Sequence, residues 1–312
     1  MSFIFSIIAP VFMLIFIGYL AVKVKYFPQD GVRGLTVFVH NIGAPILLFR
    51  AMLEMDFNRV FKMEYVLPYY IAALLVFAAS IFIARFLFKR RPGESVSIGF
   101  AGCFGNSILI GFPIIQLAYG DTGAALMFTI VALHAPVLYS IGMITMEMSR
   151  RNAEPLSDTL VIAGKNIITQ PLLIGIALGF LGNYLNFEQP DIMDDVTKTF
   201  TLAVLPCALF GIGGALVQYK LSSVWFLASV ISGMKLLALP FLVWLILIIF
   251  LGLPYDTARV FILLAAMPIG VNAYIFSTYY DRGVNVASNA ILISTIMAFF
   301  SLSFWLWFLS SA

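Results

Sequence analysis

The sequence predicts an all-α integral membrane protein of about ten transmembrane helices, built as two inverted five-helix repeats with crossed, broken helices in spans four and nine. Three observations predict it. Of 312 residues, 62% are hydrophobic and 11% charged, with a mean hydropathy of +1.02. A soluble domain carries roughly 45–50% apolar and about 25% charged residues, and a chain of this length cannot hide the excess from water. The apolar residues also gather into runs of about 20, the length that spans hydrocarbon about 30 Å thick. Between the runs lie short polar connections that hold most of the Lys and Arg.

The ten runs fall near 3–22, 33–53, 65–88, 96–119, 122–148, 161–185, 196–219, 222–251, 257–280 and 285–311. The first has no basic segment before it and is long enough to span, so it reads as a helix and not as a cleavable signal. The second and seventh are the most polar. Connections after odd-numbered spans carry twelve Lys and Arg (Lys23, Lys25, Arg33, Arg85, Lys89, Arg90, Arg91, Arg150, Arg151, Lys165, Lys220 and Arg282), and the opposite side carries five (Arg50, Arg59, Lys62, Lys198 and Arg259). That asymmetry places the odd connections in the cytoplasm and both termini outside, in the inner (plasma) membrane. The connection between spans six and seven, with Glu188, Asp191, Asp194 and Asp195, then forms an acidic outer loop.

Five spans per half is an odd number, so a repeat of the halves must be inverted, with its boundary between 155 and 156. Pro10 matches Pro171, Gly18 matches Gly179, Pro45 matches Pro206 and Phe49 matches Phe210, each 161 positions apart. Tyr119-Gly-Asp121-Thr-Gly123 matches Tyr279-Tyr-Asp281-Arg-Gly283 at an offset of 160. Inverted repeats with helices interrupted near the midplane characterise secondary transporters.

The fourth run contains Gly102, Gly105, Asn106, Gly111 and Pro113, and the ninth contains Pro268, Gly270, Asn272 and Ala273. Proline removes a backbone donor and obstructs the carbonyl four residues earlier, while glycine eases departure from helical geometry. In lipid, such breaks are tolerated only where protein or a watery cavity satisfies the freed groups. Two helices restarting at one depth would aim their positive N-terminal ends at a shared point, which suits an anion. Read singly, either pattern also fits an ordinary membrane-helix kink.

Asn106, Asn272 and Gln116 can donate to a carboxylate, or can bond a neighbouring helix. Lys235, inside the eighth span, can attract an anion, neutralise carbonyl ends near the breaks, or snorkel. His134 and His40 lie within spans, and Asp121 and Asp281 at span ends; each is a coupling candidate or a structural group. Cys103 and Cys207 offer no disulfide framework, and no cluster has metal-ligand spacing. The basic balance, +3 at pI near 8.8, reflects loop cations and not nucleic-acid binding. With no phosphate-binding glycine loop and no nucleophile triad, neither an ATP-driven pump nor an enzyme is expected, and no cofactor.

At these positions the chain resembles the auxin efflux carrier family, in its bacterial malonate- and malate-type branch. Asn106-Ser-Ile-Leu-Ile-Gly111-Phe-Pro113 is similar to the plant carriers' Asn-Thr-Leu-x-x-Gly-Ile-Pro, and Met267-Pro268-x-Gly270 with Phe276 and Tyr280 to their Leu-Pro-Gln-Gly string. Pro10 with Gly18-Tyr19, and Ala44-Pro45 through Phe49, also fit. Two departures stand out: Ala273 where plant members have a second crossover proline, and Asn272 in place of an apolar residue. The long cytoplasmic loop of many plant members is absent. The resemblance implies a scaffold of spans 1, 2, 6 and 7 that forms a homodimer, and a transport domain of spans 3–5 and 8–10. It implies a small organic anion as substrate, with Gly105, Asn106, Gly111, Pro113, Gly270, Asn272 and Ala273 around it and Lys235, His134, Asp121 and Asp281 serving charge compensation or coupling. The reading from a different class is a transporter-like sensor or lipid-binding regulator without flux.

Overall fold

The computed structural model describes residues 2–56, 63–149, 169–219 and 221–311. These residues form helices, labelled here α1 Ser2–Lys23, α2 Gln29–Leu53, α3 Met63–Leu87, α4 Pro92–Cys103, α5 Ser107–Ser149, α6 Pro171–Tyr184, α7 Asp191–Leu216, α8 Trp225–Phe250, α9 Tyr255–Ala265, α10 Val271–Tyr279 and α11 Val284–Ser311. Seven of them, α1, α2, α3, α5, α7, α8 and α11, are long and apolar enough to cross a membrane. The protein is therefore an all-α, multi-pass membrane protein.

The remaining apolar runs fall short of that length for local reasons. The run 96–119 divides into α4 and the start of α5, and 257–280 divides into α9 and α10. The boundary between runs four and five is a bend at Gly120 (φ 64, ψ −159) inside the 43-residue α5. Its positive φ is open to glycine at no steric cost. Of run 161–185, residues 161–168 lie outside the described residues, as do the expected repeat boundary at 155/156 and Arg59, Lys62, Arg150, Arg151, Lys165 and Lys220.

One expectation is corrected here. Asp191, Asp194 and Asp195 are not loop residues: α7 begins at Asp191, after Pro190. Carboxylates in a first turn complement the partial positive charge of the helix N-terminus, which extends the helix beyond its apolar run.

Three π turns each accommodate a proline inside a helix. Val39–Gly43, Ser107–Gly111 and Met234–Ala238 each end two residues before a proline: Pro45, Pro113 and Pro240. A proline ring collides with the carbonyl four residues back and supplies no N–H. The wider turn moves that carbonyl aside and absorbs the lost bond.

By internal contact the chain separates into two compact units. One comprises Ala9–Phe61 and Gly164–Gln218, and so holds most of α1 with α2, α6 and α7. Its helices approach closely through glycine. A Cβ at Gly18 would overlap the Phe210 carbonyl, and one at Gly179 the Phe49 carbonyl. Asn183 Nδ2 donates to Leu53 O (2.7 Å) and Met55 O (2.8 Å), satisfying the end of α2. Arg50 donates to Asp194 Oδ1 (2.5 Å) and Thr197 Oγ1 (3.2 Å) and pairs with Glu54 (2.9 Å), joining α2 to the first turns of α7. Arg50 is partly buried while both carboxylates are well exposed, so solvent screens the network. Arg50→Ala is expected to lower stability by about 1–2 kcal/mol, read as an earlier unfolding midpoint in detergent at low salt and a smaller difference at high salt.

The other unit comprises Met1–Ile8, Lys62–Ala163 and Tyr219–Ala312, and so holds α3–α5 and α8–α11. Here α3 and α4 are drawn together at Gly99, which faces Phe77 and Ile81, and at Gly102, which faces Ser80. Both interrupted helices lie in this unit.

Candidate functional site

The site begins where α4 stops. After Cys103 the chain runs extended through Phe104 (φ −83, ψ 111) and Gly105 to Asn106, and α5 starts at Ser107. On the second strand of chain, α9 ends at Ala265, and Ala266 to Gly270 connect it to α10, with Gly270 extended (φ −78, ψ 151). The two connections pair with each other. Asn106 N–H donates to Pro268 O (2.7 Å), Gly270 N–H donates to Phe104 O (3.0 Å), and Gly105 and Ile269 form an antiparallel bridge. Backbone groups freed by both breaks are thus satisfied mutually, as a low-dielectric surrounding demands.

Side chains complete that accounting. Ile269 N–H donates to Ser294 Oγ of α11 (3.1 Å), and Gly105 N–H donates to His134 Nε2 of α5 (3.4 Å). Nε2 therefore acts as acceptor, which puts the neutral ring's proton on Nδ1. Lys235, on the π turn of α8, is fully buried, and its Nζ donates to Ala265 O (2.5 Å), the last carbonyl of α9. A cation at a helix C-terminus offsets the partial negative charge there.

The approach at the crossing leaves little room for a side chain on either segment, least at Gly270, whose neighbour is backbone. A Cβ at Gly270 would sit 3.0 Å from Gly105 O, and one at Gly105 would sit 3.1 Å from Lys235 Cε and 3.2 Å from its Nζ. Gly111 lies at the end of the π turn, against Leu264 of α9 and Met267 of the connection that follows it. Pro113 is buried inside α5, seven positions past Asn106. The chain leaves helical geometry upstream of this proline and not at it, because the π turn already accommodates the ring. Ala273, fully buried in the first turn of α10, donates N–H to Gly270 O (3.0 Å).

Asn106 is 9% exposed and stands at the start of α5; Asn272 is half-buried, at the second position of α10. Both side-chain amides therefore lie where a helix restarts, beside N–H groups that have no partner four residues back. Asp121 and Asp281 are not brought to this place. Asp121 is exposed and accepts from Gln116 Nε2 (2.6 Å), and Asp281 is exposed in a turn with φ 50. His40 belongs to the other unit, on the π turn of α2.

Sequence reasoning did not single out Ser294, Tyr139, Phe100 or Phe104 beside the crossing, and quoted Phe276 only within the family string. Tyr139 OH donates to Asn272 O (3.4 Å), Phe100 stacks on Phe276 (4.2 Å between ring centroids), and Phe104 lies 4.7 Å from the His134 ring. Aromatic residues are frequent in any membrane helix, so only their assembly around one point distinguishes these.

The family description "Membrane transport protein" matches residues 3–306. The chain belongs to the auxin efflux carrier family. The transporter is 26% identical over 300 residues to a protein of Rhizobium meliloti named "Putative malonate transporter", covering 96% of this chain and 93% of that one. It is 22% identical over 354 residues to "Auxin efflux carrier component 8" of Arabidopsis thaliana, covering 94% of each. It is also 23% identical over 314 residues to "Lysosomal cholesterol signaling protein" of Mus musculus, covering 92% of this chain and 35% of that protein.

Proposed function

We propose that this transporter is a secondary carrier of small organic anions, of the malonate or malate type, in the inner membrane with both termini outside. The observation that carries the proposal is the crossing itself. Two interrupted helices are hydrogen-bonded at their breaks, and each restarts with an asparagine in its first positions, Asn106 before α5 and Asn272 in α10. Helix N-termini carry roughly half a positive charge, and interrupted helices use them to hold anionic groups of substrates. Asn106 and Asn272 would donate to carboxylate oxygens without adding charge, Gly105, Gly111, Pro113, Gly270 and Ala273 would shape the site, and Lys235 would offset negative charge from the α9 side. Roles for His134, Asp121 and Asp281 in coupling belong to the same reading.

In this reading ten spans form two inverted repeats, 1–155 and 156–312. Spans 3–5 and 8–10 would move with the anion against a homodimeric scaffold of spans 1, 2, 6 and 7. Supporting it, a contact at Gly18 with Phe210 and one at Gly179 with Phe49 are related by the 161-residue offset of the sequence matches. The division of the chain into two compact units is what a displacement of one body requires. The name of the Rhizobium meliloti relative supports malonate as the first anion to try.

The test is uptake of labelled malonate, malate and succinate into liposomes holding the purified protein, with and without an imposed pH gradient or membrane potential. Saturable uptake is the expected result. Asn272→Ala is expected to lower its efficiency about tenfold to a hundredfold, from loss of one charge-assisted hydrogen bond, with folding intact. Wild-type kinetics in that variant would remove Asn272 from the site. The match to the cholesterol signaling protein along most of this chain favours one competing reading, a sensor. Its signature is saturable ligand binding with no flux of any anion.

A further inference from the structure

Residues 88–91 join α3 to α4, and Lys89, Arg90 and Arg91 among them are basic. The turn that carries these cations is closed by hydrogen bonds. Phe88 N–H donates to Ile83 O (3.2 Å) and Arg90 N–H to Ala84 O (3.0 Å), which satisfies carbonyls at the end of α3. Lys89, between them, takes the left-handed conformation (φ 54) that such a helix end uses. Arg85, in the last turn of α3, folds back and donates from Nη1 to Arg90 O (2.8 Å). Arg90 pairs with Glu94 (3.1 Å) in the first turn of α4. Arg85, Lys89 and Arg91 are exposed, and among the described residues no carboxylate pairs with them.

The turn stands where two apolar helices end. α3 finishes at Leu87 and α8 begins at Trp225, and both are long and apolar enough to cross a membrane. Phe88 and Phe226 bring these two ends together, with ring centroids 5.9 Å apart, inside one compact unit. Phe86, Leu87, Trp225 and Phe226 are exposed beside the cations. Aromatic side chains gather at the headgroup level of a bilayer, and cations at that level face lipid phosphates.

We propose that the α3–α4 turn and the first turn of α8 form a binding site for the headgroup of an anionic phospholipid. Charge complementarity names the occupant. Lys89, Arg91 and the free edge of the Arg85 guanidinium offer positive charge and donors to a phosphodiester, while the exposed apolar side chains take the upper part of the acyl chains. A zwitterionic headgroup carries its own ammonium and gains much less from the same cations. Because the turn is already closed by its own hydrogen bonds, binding spends little on ordering it. A lipid held against α3, α4 and α8 together binds the folded protein only, and so stabilises it.

The test titrates the purified protein, in neutral maltoside micelles, with phosphatidylglycerol or with phosphatidylcholine and follows the unfolding midpoint. Phosphatidylglycerol is expected to raise the midpoint well above the effect of phosphatidylcholine. Each Lys or Arg near an anionic surface is worth about fivefold in affinity. Lys89→Asn combined with Arg91→Gln should therefore need about twenty-fivefold more phosphatidylglycerol for the same rise. Asparagine tolerates the left-handed backbone at position 89, and each response is read against that protein's own midpoint without lipid. Lys23→Gln combined with Lys25→Asn removes the same charge from exposed positions in the other unit and is expected to respond as wild type. An equal loss in both double variants would reduce the effect to overall charge and overturn the site. A wild-type midpoint that the two lipids move alike, or a full response from Lys89→Asn with Arg91→Gln, overturns it as well. Inorganic phosphate at the same phosphate concentration is expected to leave the midpoint unchanged; a rise as large as that with phosphatidylglycerol would overturn the lipid assignment in favour of a soluble anion. None of these readouts depends on which solute the protein carries.

Discussion

Replacing Gly270 with valine is expected to reduce anion uptake about a hundredfold or more, since it disturbs at least two buried hydrogen bonds worth about 1–3 kcal/mol each. The backbone conformation at Gly270, φ −78 and ψ 151, is one that valine adopts readily, so the cost does not come from local strain. It comes from what the new Cβ would meet: Gly105 O at 3.0 Å, Gly105 C at 3.1 Å and Asn106 N at 3.3 Å. All three are backbone atoms, and none can rotate away as a side chain would. The only relief is to part the two extended segments, which lengthens Gly270 N–H to Phe104 O and Asn106 N–H to Pro268 O together. Water cannot replace those partners in a dry surrounding. Gly270→Ala adds the same Cβ without branches and should lie between wild type and valine. Liposome uptake of the three proteins at matched reconstitution checks the ranking. Wild-type rates from Gly270→Val would mean that the paired segments are not part of the transport path.

How much of this was legible beforehand varied with the kind of signal. Apolar runs gave the helices, because a hydrocarbon solvent leaves length and hydropathy as the chief constraints. Clustered glycine marked the first break and Pro268 with Gly270 the second, and Gly105 and Gly270 do lie at the crossing. Pro113 was the strongest breaker in the fourth run, yet the chain is helical there. A π turn two residues earlier absorbs a proline, and its width leaves no composition cue. The acidic start of α7 was misread as loop, since Asp191 and Asp194 interrupt hydropathy while favouring a helix N-terminus. Lys235 was visible as an intramembrane charge, but its partner is the carbonyl of Ala265, and a backbone atom has no sequence signature. Ser294 escaped for the converse reason: a serine in an apolar helix commonly bonds its own backbone, as Ser294 also does to Ile291 O (3.2 Å).

Gly18→Leu and Gly179→Leu are each expected to leave little folded protein. At both positions the Cβ would overlap a main-chain carbonyl of a neighbouring helix, Phe210 O for Gly18 and Phe49 O for Gly179. Over-packing a core against movable side chains costs about 1–3 kcal/mol; here whole helices must separate, so the loss should exceed that range. Helix association in lipid depends on such close backbone approach, since lipid offers no hydrophobic drive to replace it. The α1–α7 contact is further locked by Gly213, whose Cβ would overlap Ile15 O, and the α2–α6 contact by Gly175, whose Cβ would overlap Pro45 O. Gly34→Leu supplies the baseline, because a Cβ there meets nothing within 4 Å. The fraction of monodisperse protein after detergent extraction, with unfolding midpoints, measures all three variants. Gly18 and Gly179 stand 161 positions apart, and so do their partners Phe49 and Phe210. Under the proposed inverted repeat these are one contact used twice, and the two leucine variants are expected to lose stability alike. A chain that tolerates leucine at one position and collapses with it at the other would break that equivalence, while leaving the proposed anion site in the other unit to be judged by uptake alone.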